Sequence, residues 1–375
     1  KLTFRYPNDG DDFLVLSSLW LRDSCPCDIC VDPDSGQKNF STTDLPDIPE
    51  IGDVKVYHEG SLEIDWMGDG PSGGGWHRSK YPAAEVRAWQ ADSKWQRGSI
   101  GSNDPSRILW NRASYEELLA KGRCRVSYRD WMGEGRPFMD ALMDLRQTGL
   151  IFVTDVPTDE NEVVQVAHRI GPVQDTFYGR TWDVRNKARA ENVAYTDKFL
   201  CLHQDLMYHD PVPGLQLLHC LSNTCEGGES LFSNAVRAAD ELRVAEPSQY
   251  EDLTSIGVYF GYNKGNNHCF KRQTTIVADS NELPRETRWA PPFQTTFPVA
   301  SGDPTSNKMA EWKKAARAFQ DIAESEANML EVKLKEGECV IFDNRQILHG
   351  RRQFAAGQGS RWLKGTYVSH QDYIA

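Results

Sequence analysis

Hydrophobic and polar positions along this chain follow two different periods, and the shorter period marks strands. Short apolar runs rich in Leu, Ile, Val and Phe stand between turn-forming residues, a pattern that is typical of β-strands. On this basis the sequence predicts strands at residues 14–16, 62–66, 150–153, 215–220 and 340–344.

The longer period marks helices, where apolar residues recur every three or four positions. Residues 138–145 form one such amphipathic segment, which Gly149 is expected to end. Residues 161–171 form another, with Val163 and Ile170 on its apolar face. A longer helix is predicted over residues 309–330, with Trp312 and Phe319 facing a sheet.

These elements divide the chain of 375 residues into two domains, a division that its length permits. Residues 1–100 hold short strands and a loop at 68–75 with five glycines and a proline. Residues 101–130 are predicted to be a connector of mixed helical character, for example at 115–119. Residues 131–375 would form the second, larger domain, mainly of strands with flanking helices.

The charge of the chain argues against two classes of partner. Its net charge is −12, which disfavours binding to nucleic acid and to a membrane surface. No apolar run is long enough to cross a bilayer. We expect a cytoplasmic protein, or a mitochondrial one if a targeting segment once preceded Lys1, since the chain does not begin with methionine.

Three of the nine cysteines are crowded into six positions, as Cys25, Cys27 and Cys30. Such spacing favours metal binding in a reducing compartment over a disulfide framework. Three thiols and a fourth ligand would complete a tetrahedral structural zinc site. His77 is the preferred fourth ligand, and His58 is the alternative.

A second group of metal ligands is predicted from His203, Asp205 and the distant His349. Two imidazoles and one carboxylate form the facial ligand set with which non-heme ferrous oxygenases bind a co-substrate and dioxygen. We expect the strand at 340–344 to deliver His349 at its far end. Arg361 follows His349 by 12 residues, and its planar guanidinium suits the distal carboxylate of 2-oxoglutarate.

Four sequence motifs together resemble the γ-butyrobetaine hydroxylase family, which includes the trimethyllysine hydroxylases. The motifs are LWLRDSCPC at 19–27, FYGRTW at 177–182, NVAY at 192–195 and LHGRR at 348–352. The resemblance extends over nearly the whole chain in the same order. It implies a double-stranded β-helix (jelly-roll) oxygenase core over about residues 130–375, a small zinc-binding domain before it, and a homodimer.

The resemblance also implies roles for individual residues. Iron would be held by His203, Asp205 and His349, and 2-oxoglutarate by Arg361 and Ser230. The zinc ligands would be Cys25, Cys27, Cys30 and His77. An aromatic cage for a trimethylammonium group would comprise Tyr178, Trp182, Tyr195 and Tyr367, with Asn192 at the substrate carboxylate. The implied cofactors are Fe(II), 2-oxoglutarate, O2 and structural Zn(II), with ascorbate as a reductant.

The cage has a physical basis of its own. A quaternary ammonium cannot donate a hydrogen bond, so a site must hold it by shape and by the quadrupoles of aromatic rings. Two features depart from the family pattern at the substrate. Leu206 replaces a pocket tyrosine, and residues 288–294 lack the asparagine that the family uses for the substrate carboxylate.

Three functions follow from these observations. The leading hypothesis is a hydroxylase that converts γ-butyrobetaine to L-carnitine. The second is the same mechanism on another betaine or amino acid, such as trimethyllysine or a substrate of specialised metabolism, which the two departures favour. The third is a metal-binding scaffold without catalysis. The complete set of His203, Asp205, His349 and Arg361 argues against the third.

Overall fold

The computed structural model describes residues 2–5, 13–68, 76–90, 107–185, 198–264, 266–295, 305–355 and 359–374. The chain forms two compact units, Lys1–Ser99 and Ile100–Ala375. In the part of the chain described, no helix combines the length and the apolar character needed to span a membrane.

The first unit is built on a small antiparallel sheet. Its elements are β1 (Leu2–Arg5), β2 (Phe13–Leu16), α1 (Ser18–Asp23), β3 (Glu50–Val56), β4 (Leu62–Met67), β5 (Trp76–Tyr81) and α2 (Ala83–Gln90). Strands β3, β4 and β5 pair in that order, and β1 pairs with β2. The strands predicted at 14–16 and 62–66 are confirmed. The glycine-rich loop lies mostly at 69–75, outside the described residues.

The core of the first unit is small. Ile64 and Trp66 of β4 pack with Tyr81 and Leu21, all essentially inaccessible to solvent. The indole of Trp66 donates a hydrogen bond of 2.8 Å to the hydroxyl of Ser79. A core of this size contributes little stability, so a small unit of this kind benefits from a metal or another cross-link.

The second unit holds the remaining elements. Its helices are α3 (Arg112–Ala120), α4 (Tyr128–Met132), α5 (Arg136–Thr148), α6 (Glu162–His168), α7 (Ala235–Ala245), α8 (Pro247–Ser255), α9 (Thr305–Ala323) and α10 (His370–Ile374). Its strands are β6 (Arg125–Ser127), β7 (Leu150–Thr154), β8 (Trp182–Arg185), β9 (Leu200–His203), β10 (Leu215–Asn223), β11 (Ser230–Asn234), β12 (Gly257–Lys264), β13 (Asn267–Thr274), β14 (Ile276–Ala278), β15 (Pro284–Thr287), β16 (Leu330–Val332), β17 (Cys339–Asp343), β18 (Ile347–Arg351) and β19 (Arg361–Val368).

Two sheets dominate the second unit. The larger has the strand order β6-β7-β17-β10-β19-β8, and the smaller has the order β16-β11-β18-β9. Within both sheets every pairing is antiparallel except that of β6 with β7. Helices α5 and α6 pack on strands of the larger sheet. The prediction of a mainly β fold with flanking helices is confirmed.

The sequence explains why these central strands form. All five side chains of β17 are buried, as expected for a strand covered on both faces, and its first four residues, 339–342, are accordingly apolar. In β10 the pleat sends Leu215 and Leu217 into the core, whereas Gln216 and Leu218 line a cavity. Because of this alternation, one face of the larger sheet packs in the hydrophobic core and the other face lines the cavity.

Helix α5 and strand β7 form as predicted, with Gly149 between them. The glycine has a φ of 72°, in the left-handed region that ends many helices. The prediction of one helix over 309–330 is wrong at its end, because α9 stops at Ala323 and Leu330 begins β16. The side chains of Ser325 and Asn328 donate hydrogen bonds to the carbonyl of Ile322, which diverts the chain from the helix.

The segment predicted as a connector contributes to the second unit. Its residues Trp110, Tyr115 and Val126 are buried in the same core as β7 and β17. Strand β6 also extends the larger sheet at one edge. The predicted domain limits 1–100, 101–130 and 131–375 stay predictions, and residues 107–127 pack as part of the larger unit.

Candidate functional site

The two sheets of the second unit bring the predicted iron ligands together. Strand β9 ends at His203, and Asp205 follows two residues later. His349 lies in the middle of β18, not at the end of the preceding strand as predicted, because β17 already ends at Asp343. Strands β9 and β18 are neighbours, and their register pairs His203 directly with His349.

The three side chains converge on one point. Oδ1 of Asp205 lies 3.2 Å from Nε2 of His203 and 3.9 Å from Nε2 of His349. The centroids of the two imidazole rings are 4.3 Å apart. Metal–ligand bonds of about 2.1 Å would separate neighbouring ligand atoms by about 3 Å. The geometry therefore fits a metal ion bound by Nε2, Nε2 and Oδ1.

The protonation states of this cluster also suit a cation. Nδ1 of His203 lies 2.9 Å from the carbonyl of Cys201, to which it must donate, so Nε2 keeps its lone pair. Burial, and then the neighbouring imidazole of His203, lowers the pKa of His349 to about 3. Burial opposes ionisation of Asp205, but the close approach of His203 and His349 and the hydrogen bond from Tyr367 hold its pKa well below the usual range.

Two buried amides fix the backbone around Asp205. Oδ1 of Asn344 accepts from the Asp205 N–H at 2.8 Å, and Nδ2 of Asn344 donates to the Asp205 carbonyl at 2.9 Å. Gln204 accepts from the N–H of Trp289 at 2.8 Å and donates to the hydroxyl of Thr287 at 3.1 Å. The motif analysis singled out neither amide for this role, since both make their contacts across the fold.

Replacing Asn344 with leucine is expected to weaken both folding and metal binding. The N–H and carbonyl of Asp205 would lose their partners, and each unsatisfied buried group costs about 1–3 kcal/mol. Thermal unfolding and Mn(II) titration calorimetry would measure the two effects. Asn328→Leu is the matched control, because it removes buried hydrogen bonds away from the cluster. Wild-type Mn(II) affinity in Asn344→Leu would contradict this assignment.

The cluster faces a cavity that also contains a buried cation. Arg361 is 6% exposed, and its Nε donates to the carbonyl of Gly228 at 3.2 Å. Burial lowers its pKa to about 10, so it remains charged at neutral pH. Among the described residues no carboxylate forms an ion pair with Arg361, so its charge is available to an anion. Ser230, 5% exposed, lines the same cavity.

Strand β19 runs from this cationic end of the cavity to an aromatic end. Its residues Arg361 and Tyr367 are six positions apart, or about 20 Å along an extended strand, although both side chains line the cavity. The aromatic wall contains two rings that the sequence analysis did not select. Its members are Tyr178, Trp182, Tyr208, Phe293 and Tyr367.

The aromatic wall has a closely packed centre. The rings of Trp182 and Tyr367 stack with their centroids 4.1 Å apart. Gly365 permits this arrangement, because a Cβ there would lie within about 2.7 Å of the Trp182 indole. Leu206 also lines the cavity and is 3% exposed. The predicted substrate residues Tyr195 and Asn192 lie outside the described residues.

The side-chain oxygen of one buried amide faces the cavity. Gln216 is 2% exposed, and its Oε1 makes no hydrogen bond to the described residues. It stands opposite Tyr367 in the register of β10 and β19. A buried unpaired amide oxygen is costly, so Gln216 is available to a polar group of a bound ligand. Its alternation with Leu215 and Leu217 was the only sequence signal that could have placed it in a site.

The first unit holds the second predicted cluster. Nε2 of His77 lies 3.3, 3.7 and 3.5 Å from the Sγ atoms of Cys25, Cys27 and Cys30, respectively. Zn–S and Zn–N bonds of about 2.3 and 2.0 Å would place these atoms about 3.5 Å apart. The alternative ligand, His58, lies exposed between β3 and β4, outside the cluster.

The thiols of this cluster lie close enough to interact with one another and with a buried cation. A hydrogen bond with Cys30 lowers the pKa of Cys25 and raises that of Cys30, so one proton is shared between them. Nη1 of the buried Arg22 donates to Sγ of Cys30 at 3.3 Å and offsets negative charge. A Cys3His set of this geometry fits a closed structural zinc site.

Comparison with known proteins assigns the second unit to a family. Residues 114–367 match the model of the taurine catabolism dioxygenase TauD, TfdA family. The dioxygenase str8 of Strobilurus tenacellus is 34% identical, with 98% of this chain and 86% of that protein covered. A γ-butyrobetaine dioxygenase of Pseudomonas sp. strain AK-1 is 29% identical, with 96% and 88% covered. A trimethyllysine dioxygenase of Meyerozyma guilliermondii is 26% identical, with 98% and 90% covered.

A solved structure shares the fold. An asparagine oxygenase, determined with Fe(II), 2S,3S-3-hydroxyasparagine and succinate, superimposes with a TM-score of 0.50. It is 16% identical, and the match covers 74% of this chain and 88% of that one. The predicted resemblance to γ-butyrobetaine and trimethyllysine dioxygenases is confirmed by the relatives. The chain therefore belongs to the taurine catabolism dioxygenase TauD, TfdA family, and it is an enzyme of the dioxygenase class.

Proposed function

We propose that this enzyme is an Fe(II)- and 2-oxoglutarate-dependent hydroxylase, and that its substrate is γ-butyrobetaine, which it converts to L-carnitine. The observation that carries the proposal is one cavity lined by the cluster of His203, Asp205 and His349, by the buried cation Arg361 and by an aromatic wall. In that cavity the three ligands fit a metal, Arg361 fits the carboxylate of a co-substrate, and the aromatic wall fits a cationic substrate.

In this proposal His203, Asp205 and His349 hold iron on one side and leave its other positions to ligands. Arg361, with the hydroxyl of Ser230, binds the distal carboxylate of 2-oxoglutarate. When bound, iron supplies oxidation by O2, which converts 2-oxoglutarate to succinate and CO2 and places one oxygen atom in a substrate C–H bond. The chain itself orients the reactants and keeps water away, since these side chains are largely buried.

The substrate proposal rests on the aromatic wall. Tyr178, Trp182 and Tyr367 line the cavity, together with Tyr208 and Phe293. Aromatic faces attract a trimethylammonium group that can make no hydrogen bond of its own. γ-Butyrobetaine dioxygenases are among the relatives that match nearly the full chain. Oε1 of Gln216, which accepts no hydrogen bond from the described residues, offers a contact for a polar group of the substrate.

The second candidate is the same reaction on another betaine or amino acid, or on a substrate of specialised metabolism. The observation that favours it is Leu206, an apolar side chain that contributes to the cavity where the family carries a tyrosine. The 34% identity to the dioxygenase str8, above that to the γ-butyrobetaine enzymes, points the same way. A screen of betaines and amino acids for substrate-stimulated succinate formation would rank the candidates.

Trp182→Leu is expected to raise the KM for γ-butyrobetaine by about 30-fold. A desolvated cation–π contact contributes about 2 kcal/mol, and each 1.4 kcal/mol corresponds to a tenfold change. Leucine keeps apolar packing but removes the ring quadrupole. Hydroxylation kinetics of γ-butyrobetaine and of its unmethylated analogue, 4-aminobutyrate, would be compared in wild type and variant.

Comparing the two substrates distinguishes loss of the aromatic cage from general damage to the enzyme. The KM for 4-aminobutyrate should change much less, because a primary ammonium can hydrogen-bond elsewhere, and decay of 2-oxoglutarate without substrate should change little. If the wild-type enzyme prefers 4-aminobutyrate, the aromatic wall is not a betaine site and the carnitine proposal is wrong.

Further parts of the proposal concern the protein as a whole. We propose that the two sheets of the second unit are the halves of a double-stranded β-helix, and that Cys25, Cys27, Cys30 and His77 bind structural zinc. The homodimer, the cytoplasmic location and the use of ascorbate stay predictions. Sedimentation equilibrium would measure the oligomeric state.

A further inference from the structure

Tyr367 contacts both the aromatic wall and the predicted iron site. Its hydroxyl donates a hydrogen bond of 2.7 Å to Oδ2 of Asp205, and its ring stacks on Trp182. The side chain is 2% exposed and lies near the end of β19, which pairs with β10 and β8 in the larger sheet. We propose that Tyr367 is a positioning residue, which orients the carboxylate of Asp205 so that one oxygen faces the metal, and that this is its main role in the cavity.

The two oxygens of Asp205 have different surroundings, which is the basis of this inference. Oδ1 faces Nε2 of His203 and of His349, whereas Oδ2 accepts from Tyr367. The last torsion of an aspartate side chain is broad and roughly twofold. Without a partner on Oδ2 the carboxylate could rotate, present both oxygens to a cation or turn away. The phenol therefore selects one orientation and one coordinating oxygen.

The backbone of Asp205 is already fixed, so only its side-chain torsions can vary. Asn344 holds its backbone N–H and carbonyl, so the carboxylate torsions are the part left to fix. Outer contacts of this kind change metal affinity by about 10–100-fold when they are removed. Tyr367 is itself fixed, because its backbone lies in β19 and its carbonyl accepts from the N–H of Gln174 at 2.8 Å.

The same geometry limits the part that Tyr367 plays in a cage. One face of its ring is covered by Trp182, and its hydroxyl is engaged by Asp205. Tyr367 therefore contacts both Trp182 of the aromatic wall and the carboxylate of Asp205, and its hydroxyl is not free to bind substrate.

Tyr367→Phe tests this role, since it retains the stacked ring and removes only the hydroxyl. The inference rests on the proposed metal site, so the first measurement omits 2-oxoglutarate and substrate. Binding of Co(II) alone would be followed by calorimetry, and the visible absorption of the Co(II) protein would report its coordination. Tyr367→Phe is expected to bind Co(II) about tenfold more weakly, equivalent to about 1.4 kcal/mol, with a changed spectrum.

Tyr208→Phe is the matched control. It removes a hydroxyl from the same cavity, but one that lies 3.4 Å from the hydroxyl of Tyr178 and not on Asp205. Its Co(II) affinity and spectrum should equal those of wild type. In a second measurement, Tyr367→Phe should form more succinate per hydroxylated product than the wild-type enzyme does, because a misoriented Asp205 carboxylate would let 2-oxoglutarate be consumed without hydroxylation of the substrate.

Two negative results have separate meanings. Wild-type affinity and an unchanged Co(II) spectrum in Tyr367→Phe would overturn the positioning role and leave the proposed function intact. Equal Co(II) binding by wild type and Asp205→Ala would instead overturn the metal site itself, and with it the proposed function.

Discussion

Asp205→Ala is expected to reduce substrate-dependent succinate formation to background. The substitution removes the anionic member of the cluster and opens a position between the two imidazoles. Even outer contacts of metal ligands change metal affinity by up to about 100-fold, so loss of a ligand should exceed that. His203→Ala should have the same effect. Turnover and Fe(II) affinity would be measured together under anaerobic loading.

The fold should survive this change, which makes the result specific. The Asp205 backbone keeps its hydrogen bonds with Asn344, and only the hydroxyl of Tyr367 loses its acceptor. Asp210→Ala is the control, because the Asp210 side chain is 80% exposed and, within the described residues, forms an ion pair with Lys271 alone. That variant should retain full activity. Full activity of Asp205→Ala in Fe(II)-replete buffer would refute the assignment of the cluster.

Cys27→Ser is expected to unfold the first unit or to lower its melting temperature strongly. Binding of structural zinc to zinc-finger peptides contributes about 10–16 kcal/mol at neutral pH, far more than the small core around Trp66 and Ile64 can replace. Thermal denaturation would be followed by tryptophan fluorescence, to which Trp66 contributes as one of eleven tryptophans, and limited proteolysis of residues 1–100 would report the first unit separately. Elemental analysis should find about one tightly held zinc per chain in wild type, as a closed four-ligand site requires.

The controls separate zinc loss from loss of a thiol. Cys269→Ser changes a cysteine of β13 that belongs to no metal cluster among the described residues, and it should melt as wild type does. His77→Ala should lose zinc, whereas His58→Ala should keep it. Folded, active wild-type protein without zinc would rule out the site. Zinc loss in His58→Ala alone would rule out only the fourth ligand.

Local spacing made much of this protein predictable from its sequence. Cys25, Cys27 and Cys30 can reach one ion because short intervals keep their thiols close, whatever lies elsewhere in the chain. His203 and Asp205 are likewise close because only one residue lies between them. The end of α5 could be predicted from Gly149, since glycine readily adopts the left-handed conformation that ends a helix. Strand β17 could be predicted because a strand buried on both faces favours an unbroken apolar run, here residues 339–342.

The tertiary structure decided what depends on contacts between distant segments. The pairing of His203 with His349 follows from the register of β9 and β18. Asn344 reaches Asp205 across 139 positions, and Tyr367 reaches it across 162. An amide or a phenol can serve many roles, and its type and spacing do not reveal its partner. Helix α9 ends early for a related reason, since side-chain hydrogen bonds to the carbonyl of Ile322 outweighed a helical pattern that continued to Leu330.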